Sequence, residues 1–283
     1  MNLLVIGASG HLGSEVARLA LTAGASVTGT HARPETPAQV HAWSRLDVCD
    51  PFAVHQLIQR VRPDAVINAS YARGSWAAMA PGAAHVASAS AAVGARLVHI
   101  SSDAVFGGRP EHYTEDDDPA PVTSYGAAKA AAETAVAAVD PSAAIVRTSL
   151  ILGDETTPQV RFALDLLTGR AVGHLFTDEI RCPVDGADLA SAVLELVGND
   201  YAGVINIAGP QAVTRAELGF LVADRYRLPR KRLPVCSAAE SGMVRALDVK
   251  LDSSKAAALL RTRLRPAATV LTPRPKPRKG SGR

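Results

Sequence analysis

Tyr125 and Lys129 stand four residues apart, a spacing that puts both on one face of a helix, one turn from each other. A phenol is a poor acid-base group at neutral pH, because its ordinary pKa is about 10. A fixed ammonium beside it favours the phenolate and brings it toward the working range. Lowering it by about three units takes roughly 4 kcal/mol of differential stabilisation, more than one lysine supplies without help from a bound cofactor's charge. On its own the pair equally describes a core tyrosine with a solvated lysine, since short motifs recur by chance. The run Ser101-Ser102-Asp103-Ala104-Val105-Phe106-Gly107, which follows the apolar stretch Arg96–Ile100, adds hydroxyls at the end of a buried strand. Two hydroxyl donors and an ammonium suit a reaction in which negative charge develops on oxygen.

The elements that must position these groups read as an α/β chain. Leu3-Leu4-Val5-Ile6 is a buried parallel strand, and Gly7-Ala8-Ser9-Gly10-His11-Leu12-Gly13 follows at once, with a helical stripe from His11 through Val16, Leu19 and Ala20. Strand, glycine turn and helix form the setting in which glycines cradle a phosphate. Gly7 permits the turn, Gly10 lets backbone amides approach a pyrophosphate, and Gly13 lets the helix close on the strand, here spaced G-x-x-G-x-x-G. Further strands are expected over 26–30, 45–48, 64–70, 96–100, 143–147 and 204–207. Helices are expected over 51–61, 83–94, 158–168 and 185–197. In such sheets ligands bind outside the carboxyl ends of the strands. Asn68, Ala69 and Ser70 stand at one such end, and Asp47 and Val48 at another, with Asp47 placed to meet an adenine.

The second strand ends in Thr30-His31-Ala32-Arg33, with no acid until Glu35. A carboxylate at that place selects NAD, whereas an arginine accommodates a 2′-phosphate. The expectation is a site for NADP, with NADPH preferred over NADH, to which His31 and Arg33 contribute.

The 283 residues fit one large domain or a domain with an appended lobe, and the hydrophobic share of 47% with 20% charged is that of a globular chain. The net charge of +3 is concentrated at one end: residues 273–283 hold five basic groups and no acid, so the body retains −2. That leaves no electrostatic footprint for nucleic acid. Cys49, Cys182 and Cys236 are scattered, with neither metal spacing nor a disulfide framework, which suits a reducing cytosol. No apolar run approaches a membrane span and no signal peptide is evident, so a cytoplasmic location is expected. The acidic run Glu115-Asp116-Asp117-Asp118 lacks the alternating spacing of a calcium loop and reads as a solvated loop. No metal is expected.

Taken in order, the glycine turn, Asp47, Asn68-Ala69, Ser101-Ser102 and Tyr125-x-x-x-Lys129 resemble the extended short-chain dehydrogenase/reductases. Within them the chain is most similar to the dTDP-4-dehydrorhamnose reductases, through Ser101-Ser102-Asp103-Ala104-Val105-Phe106, Tyr125-Gly126, Arg147-Thr148-Ser149, Asn206-Ile207-Ala208-Gly209-Pro210 and Leu251-Asp252-Ser253-Ser254-Lys255. The resemblance runs to about Leu264. It implies a Rossmann-type doubly wound parallel sheet with a smaller C-terminal substrate-binding lobe: residues 1–152 for the nucleotide, 153–265 mainly for the substrate with a strand returning near 203–208, and a disordered basic tail over 266–283. It implies Ser102 as the hydroxyl that polarises a substrate carbonyl, Tyr125 as the proton donor, and Lys129 as the group that lowers its pKa and holds the nicotinamide ribose. Gly7, Ser9, Gly10, His11, Leu12, Gly13, His31, Arg33, Asp47, Val48, Asn68, Ala69 and Ser70 complete the implied cofactor edge. Asp103, Val105 and Arg181 are the candidates on the substrate side. Asp103 either orients the loop or meets the sugar, and Arg181 either pairs with a diphosphate or holds a structural ion pair.

The implied activity is NADPH-dependent reduction of a keto group on a nucleotide-linked deoxysugar, and the implied partner is that small molecule. Surface helices in this family commonly form dimers, so a homodimer is among the arrangements it allows. The chain departs from the family where Leu150-Ile151-Leu152-Gly153 replaces the usual Trp-Val-Tyr-Gly, which removes aromatic surface from the substrate side. Two other readings stay open: a nucleotide-sugar epimerase or dehydratase that recycles its cofactor, and a non-catalytic NADP-binding regulatory protein.

Overall fold

The computed structural model describes residues 1–32, 39–72 and 74–273. Its centre is a seven-stranded parallel sheet of β1 (Asn2–Ile6), β2 (Ser26–His31), β3 (Ala42–Arg45), β4 (Ala65–Asn68), β5 (Arg96–Ile100), β6 (Ala144–Thr148) and β7 (Gly203–Ile207). The strands lie in the order β7-β6-β5-β4-β1-β2-β3, so the chain winds outward from β1 in one direction and then, from β4, in the other. The crevice between β1 and β4 is the switch point at which such sheets take ligands. The inner strands are almost wholly buried, which is why they read as continuous apolar runs instead of alternating ones.

Both faces of the sheet are covered. One packs Leu3, Val5, Val98 and Ile205 against the helices His11–Thr22 and Gly186–Val197. The other packs Leu4, Ile6, Leu97 and Ile145 against Pro51–Val61, Pro81–Val93 and Ser124–Val139. Local chemistry starts several of the helices. Asp50 accepts from the amides of Phe52 and Ala53, with Pro51 at the first helical position, and Asp185 accepts from Ala187 and Asp188.

A third core, which includes Leu152, Val160, Leu164, Leu175, Val213, Leu218 and Val222, joins the helices Pro158–Leu167 and Arg215–Arg225. Its strands are two residues long: Ile180–Arg181 pairs antiparallel with Val213–Thr214, and Leu175–Phe176 pairs parallel with Val235–Cys236.

Two sequence expectations are corrected here. The third strand was expected over 45–48 but lies over Ala42–Arg45, where it pairs with Thr28–His31. Leu46 and Val48 do alternate into the core, as a strand's would, yet from a turn beyond the ladder. The tail was expected to lose structure from 266, but Ala267–Val270 is helical. Ala267 and Leu271 are buried in the third core, and Val270 accepts a hydrogen bond from Arg225. Residues 274–283 lie outside the described residues. No helix among the described residues is long and apolar enough to cross a membrane.

Candidate active site

The glycine turn leaves β1 with Gly7 at φ +83°. A Cβ there would come within 2.7 Å of the Ala69 carbonyl oxygen, and one at Gly13 within 2.2 Å of the Gly7 carbonyl oxygen. The first glycine therefore supplies the left-handed turn and the third the close approach of helix to strand. The helix it opens has no side-chain cap at Gly10 and no acid in its first turn, so its first amides remain open to an anion. Thr30, which sequence reading passed over, braces this turn by accepting the Gly7 amide at 3.1 Å. These features are those of a cradle for a dinucleotide's pyrophosphate.

Along the same rim, Asn68 accepts the amide and hydroxyl of Ser70 at 3.2 and 2.7 Å, while its own Nδ2 is buried without a partner among the described residues. The ring of His31 meets Trp43 edge-on at 5.7 Å. Asp47 is exposed beyond β3 and accepts the Cys49 amide at 2.9 Å. Val48 is buried, and its carbonyl oxygen lies 3.0 Å from His85 Nδ1. Arg33 lies outside the described residues.

Ser102 follows β5 and opens the short turn Asp103–Val105, accepting the Ala104 amide at 3.2 Å. Tyr125 sits in the first turn of Ser124–Val139, capped by Thr123. The two elements touch because residue 126 is glycine: a Cβ there would lie 2.0 Å from the Ala104 carbonyl oxygen. That contact brings the Tyr125 phenol close enough to Ser102 for the serine to act on its pKa. Tyr71, an exposed aromatic just beyond β4, meets the Tyr125 ring edge-on at 5.7 Å. Its position after Asn68-Ala69-Ser70 was the available signal for it.

The electrostatics differ from the expectation in one respect. Burial pushes the Tyr125 phenol up to about 12, the Ser102 hydrogen bond works against that shift, and Asp103 and Tyr71 add to it. Lys129, expected to lower the phenol, instead donates to the Ile100 carbonyl at 2.9 Å. Burial pulls its ammonium down to about 8, opposed by Glu133. The neighbouring His99 is buried too, and burial with the Lys129 charge holds it far below the usual imidazole range.

Beneath the rim is a buried network that no local motif announced. Glu133, one turn beyond Lys129, is clasped by Arg147 from β6, with Nη2 to Oε2 at 2.9 Å and both side chains almost fully buried. Ser101 donates to the same carboxylate, and Arg147 also reaches the Asp117 carbonyl. The acidic run is thus more than a solvated loop. Asp117 pairs with Arg109 at 2.7 Å, and Glu115 accepts the Asn206 amide at 3.0 Å and pairs with Lys255.

Two substrate-side expectations change. Val105 is fully buried against Phe106 and Val249 in a core beneath the cleft, because the turn aims its side chain inward, so it offers a substrate nothing. Arg181 is buried and bonded to the carbonyls of Ile180 and Ala246 and near Glu179 and Asp103, the structural alternative of the two. Asp103 accepts from Ser149 at 2.6 Å and from Ser102 at 3.3 Å, and burial raises its pKa. It therefore ties the Ser102 turn to Ser149. A cavity of about 330 Å³ lined by residues such as Cys182, Gly209, Leu251 and Arg263 includes none of Ser102, Tyr125 or Lys129. Among the described residues no group of three His, Cys, Asp or Glu is placed to hold a metal.

Known proteins resemble this chain in sequence and in fold. The dTDP-4-dehydrorhamnose reductase of Mycobacterium tuberculosis is 34% identical over 254 residues, covering 83% of this chain and 79% of its own. Methionine adenosyltransferase 2 subunit beta of Rattus norvegicus is 28% identical over 273 residues, covering 89% and 80%. The crystal structure of dTDP-4-dehydrorhamnose reductase from Bacillus anthracis in complex with NADP superposes with a TM-score of 0.83 over 95% of this chain and 96% of that one, at 24% identity. The family described as the RmlD substrate binding domain matches residues 1–272, so the likeness spans nucleotide cradle, phenol and lobe alike. The chain belongs to that family.

Proposed function

We propose that the chain is an NADPH-dependent reductase that converts a keto group on a nucleotide-linked deoxysugar to an alcohol. The observation that carries this reading is the meeting of the Ser102 and Tyr125 hydroxyls one turn from a buried ammonium, on the rim that also holds the glycine turn. The relatives named as reductases, and the solved reductase holding NADP, support it.

The glycine cradle and the open first turn after Gly10 fit the pyrophosphate of a dinucleotide. A bound nicotinamide cofactor supplies the hydride. This chain's residues do the rest. Ser102 donates a hydrogen bond to the substrate carbonyl oxygen and holds it beside the phenol. Tyr125 gives its proton to that oxygen as charge develops there. A phenol held near 12 is a secure proton reservoir at neutral pH, and Lys129, which in this structure donates to the Ile100 carbonyl, is proposed to counter the phenolate's charge only with the cofactor in place. The second role proposed for Lys129 is to hold the ribose beside the ring.

Purified protein with NADPH and a panel of nucleotide-linked keto sugars tests this by loss of nicotinamide absorbance. Stoichiometric oxidation is expected. Tyr125→Phe should lower kcat about 10²- to 10⁴-fold while leaving NADPH binding intact, and Arg33→Ala should erase the preference for NADPH over NADH. Product without net oxidation would point to an epimerase. A second reading, a binding subunit without chemistry, is favoured by the similarity to methionine adenosyltransferase 2 subunit beta. Binding of NADPH with no turnover of any sugar would select it.

A further inference from the structure

Strand β4 ends at the switch point, between the glycine turn that leaves β1 and the Ser102 turn that follows β5. The chain beyond it is tied down at once. The Ala69 amide donates to the Ile6 carbonyl at 2.9 Å, and Asn68 accepts both the amide and the hydroxyl of Ser70. The Ala69 carbonyl also abuts Gly7, where a Cβ would come within 2.7 Å. Residue 71 is thereby delivered to the open crevice in which sheets of this kind take ligands.

That residue is a tyrosine, 59% exposed, and its ring stands at 84° to the ring of Tyr125 with the centroids 5.7 Å apart. Single apolar side chains on a surface need no explanation. This one differs, because its ring partner is the proposed proton donor. The two phenols also feel each other, since Tyr71 adds to the rise in the Tyr125 pKa. An edge-to-face pair uses part of each ring and leaves the rest of the exposed one bare. A carbonyl oxygen that reaches Ser102 and Tyr125 brings the ring that carries it against this corner. A sugar ring carries hydroxyls at its rim and C–H groups on its faces, and a deoxysugar has exchanged a hydroxyl for hydrogen. Weakly positive C–H groups suit the negative face of an aromatic ring. An aromatic surface held in advance by its loop also loses little freedom when the sugar arrives.

We propose that Tyr71 contacts the substrate, packing its ring on the C–H face of the deoxysugar and setting how tightly the sugar, as distinct from its nucleotide, is held. The ring does this, and the hydroxyl is dispensable. Naming the ligand a deoxysugar rests on the reductase reading.

Calorimetry on the full chain at saturating NADPH tests this, with dTDP-rhamnose and dTDP alone as the two probes. The parent should bind dTDP-rhamnose more tightly than dTDP. Tyr71→Ala should shrink that preference about five- to tenfold, with dTDP affinity, NADPH affinity and melting temperature all parental. Tyr71→Phe keeps the ring and should stay within about twofold of the parent. In turnover of the corresponding keto sugar, Tyr71→Ala should raise KM by a similar factor and leave kcat near the parent's. An unchanged preference in Tyr71→Ala, or an equal loss in Tyr71→Phe, would overturn the proposal. So would a loss confined to kcat, which makes the ring only a packing partner of Tyr125, and a loss of NADPH affinity, which assigns it to the cofactor. A parent with no preference for dTDP-rhamnose overturns it as well. If no keto sugar is reduced while the Tyr71-dependent preference persists, the reductase reading falls and this inference stands.

Discussion

Lys129 brings a positive charge to a place that disfavours it. The residue is 4% exposed, and its ammonium is bonded to one main-chain carbonyl and pulled down to about 8 by burial. The consequence for stability has a definite sign. Between about pH 8 and 10.5 the unfolded chain keeps a proton on this lysine that the folded chain has released, so the lysine's contribution to unfolding free energy rises with pH across that window. Below pH 8 both states are protonated and the full penalty of burying the charge applies. Comparison with Lys129→Met isolates this group, because the other titrations cancel. The stability of the parent relative to the variant should climb by up to about 3 kcal/mol from pH 8 to 10.5, read from urea unfolding at several pH values. A flat difference would mean that the ammonium is solvated in the folded chain. At pH 7 the variant should be inactive yet no less stable, since replacing a buried charge by an apolar side chain of similar length is often neutral or stabilising.

At the scale of elements, the site depends on two close approaches, each marked by a glycine. Gly126 lets the Tyr125 helix meet the Ser102 turn, and Gly13 lets the first helix meet the glycine turn. Gly13→Ala puts a methyl group 2.2 Å from a main-chain oxygen that has no room to yield, whereas Gly10→Ala meets one at 3.3 Å with an ordinary extended backbone. The first variant should lose about 1–3 kcal/mol of stability and at least tenfold in NADPH affinity. The second should melt close to the parent and lose affinity alone. Melting with cofactor fluorescence separates them, and equal melting of the two would show that the helix can shift away without strain. The glycines were legible because their spacing follows an apolar strand. The Glu133–Arg147 pair was not, since its partners come from a helix and a strand with no local pattern linking them. Arg147 was visible only as one letter of a family resemblance. The third strand was misplaced for a related reason: Leu46 and Val48 bury their side chains with a strand's alternation, but hydrogen bonding to β2 is taken by Ala42–Arg45.

Over the whole molecule, the nucleotide half was easier to read than the lobe. Strands buried on both faces announce themselves as apolar runs, whereas the lobe's two-residue strands have no period to detect. The same difficulty hid the end of the chain, where proline and basic residues begin just after a segment that packs. Ala267 and Leu271 complete the lobe core, Arg265 pairs with Asp185 and Asp188, and Val270 accepts from Arg225. This segment therefore packs on the third core and, through Arg265, on the start of the helix Gly186–Val197. A chain ended after Pro273 should melt like the full one. Ending it after Leu264 exposes the surface that Leu271 covers, about 1.5–3 kcal/mol, and leaves the partly buried Arg225 guanidinium without that carbonyl acceptor, about 1–3 kcal/mol more. That should lower the melting temperature by roughly 10 °C and reduce turnover of keto sugar, while NADPH still quenches protein fluorescence with parental affinity. If the shorter chain keeps its melting temperature and turnover, the lobe closes without its last helix. If it loses NADPH binding as well, the two halves fold as one cooperative unit and the segment supports both.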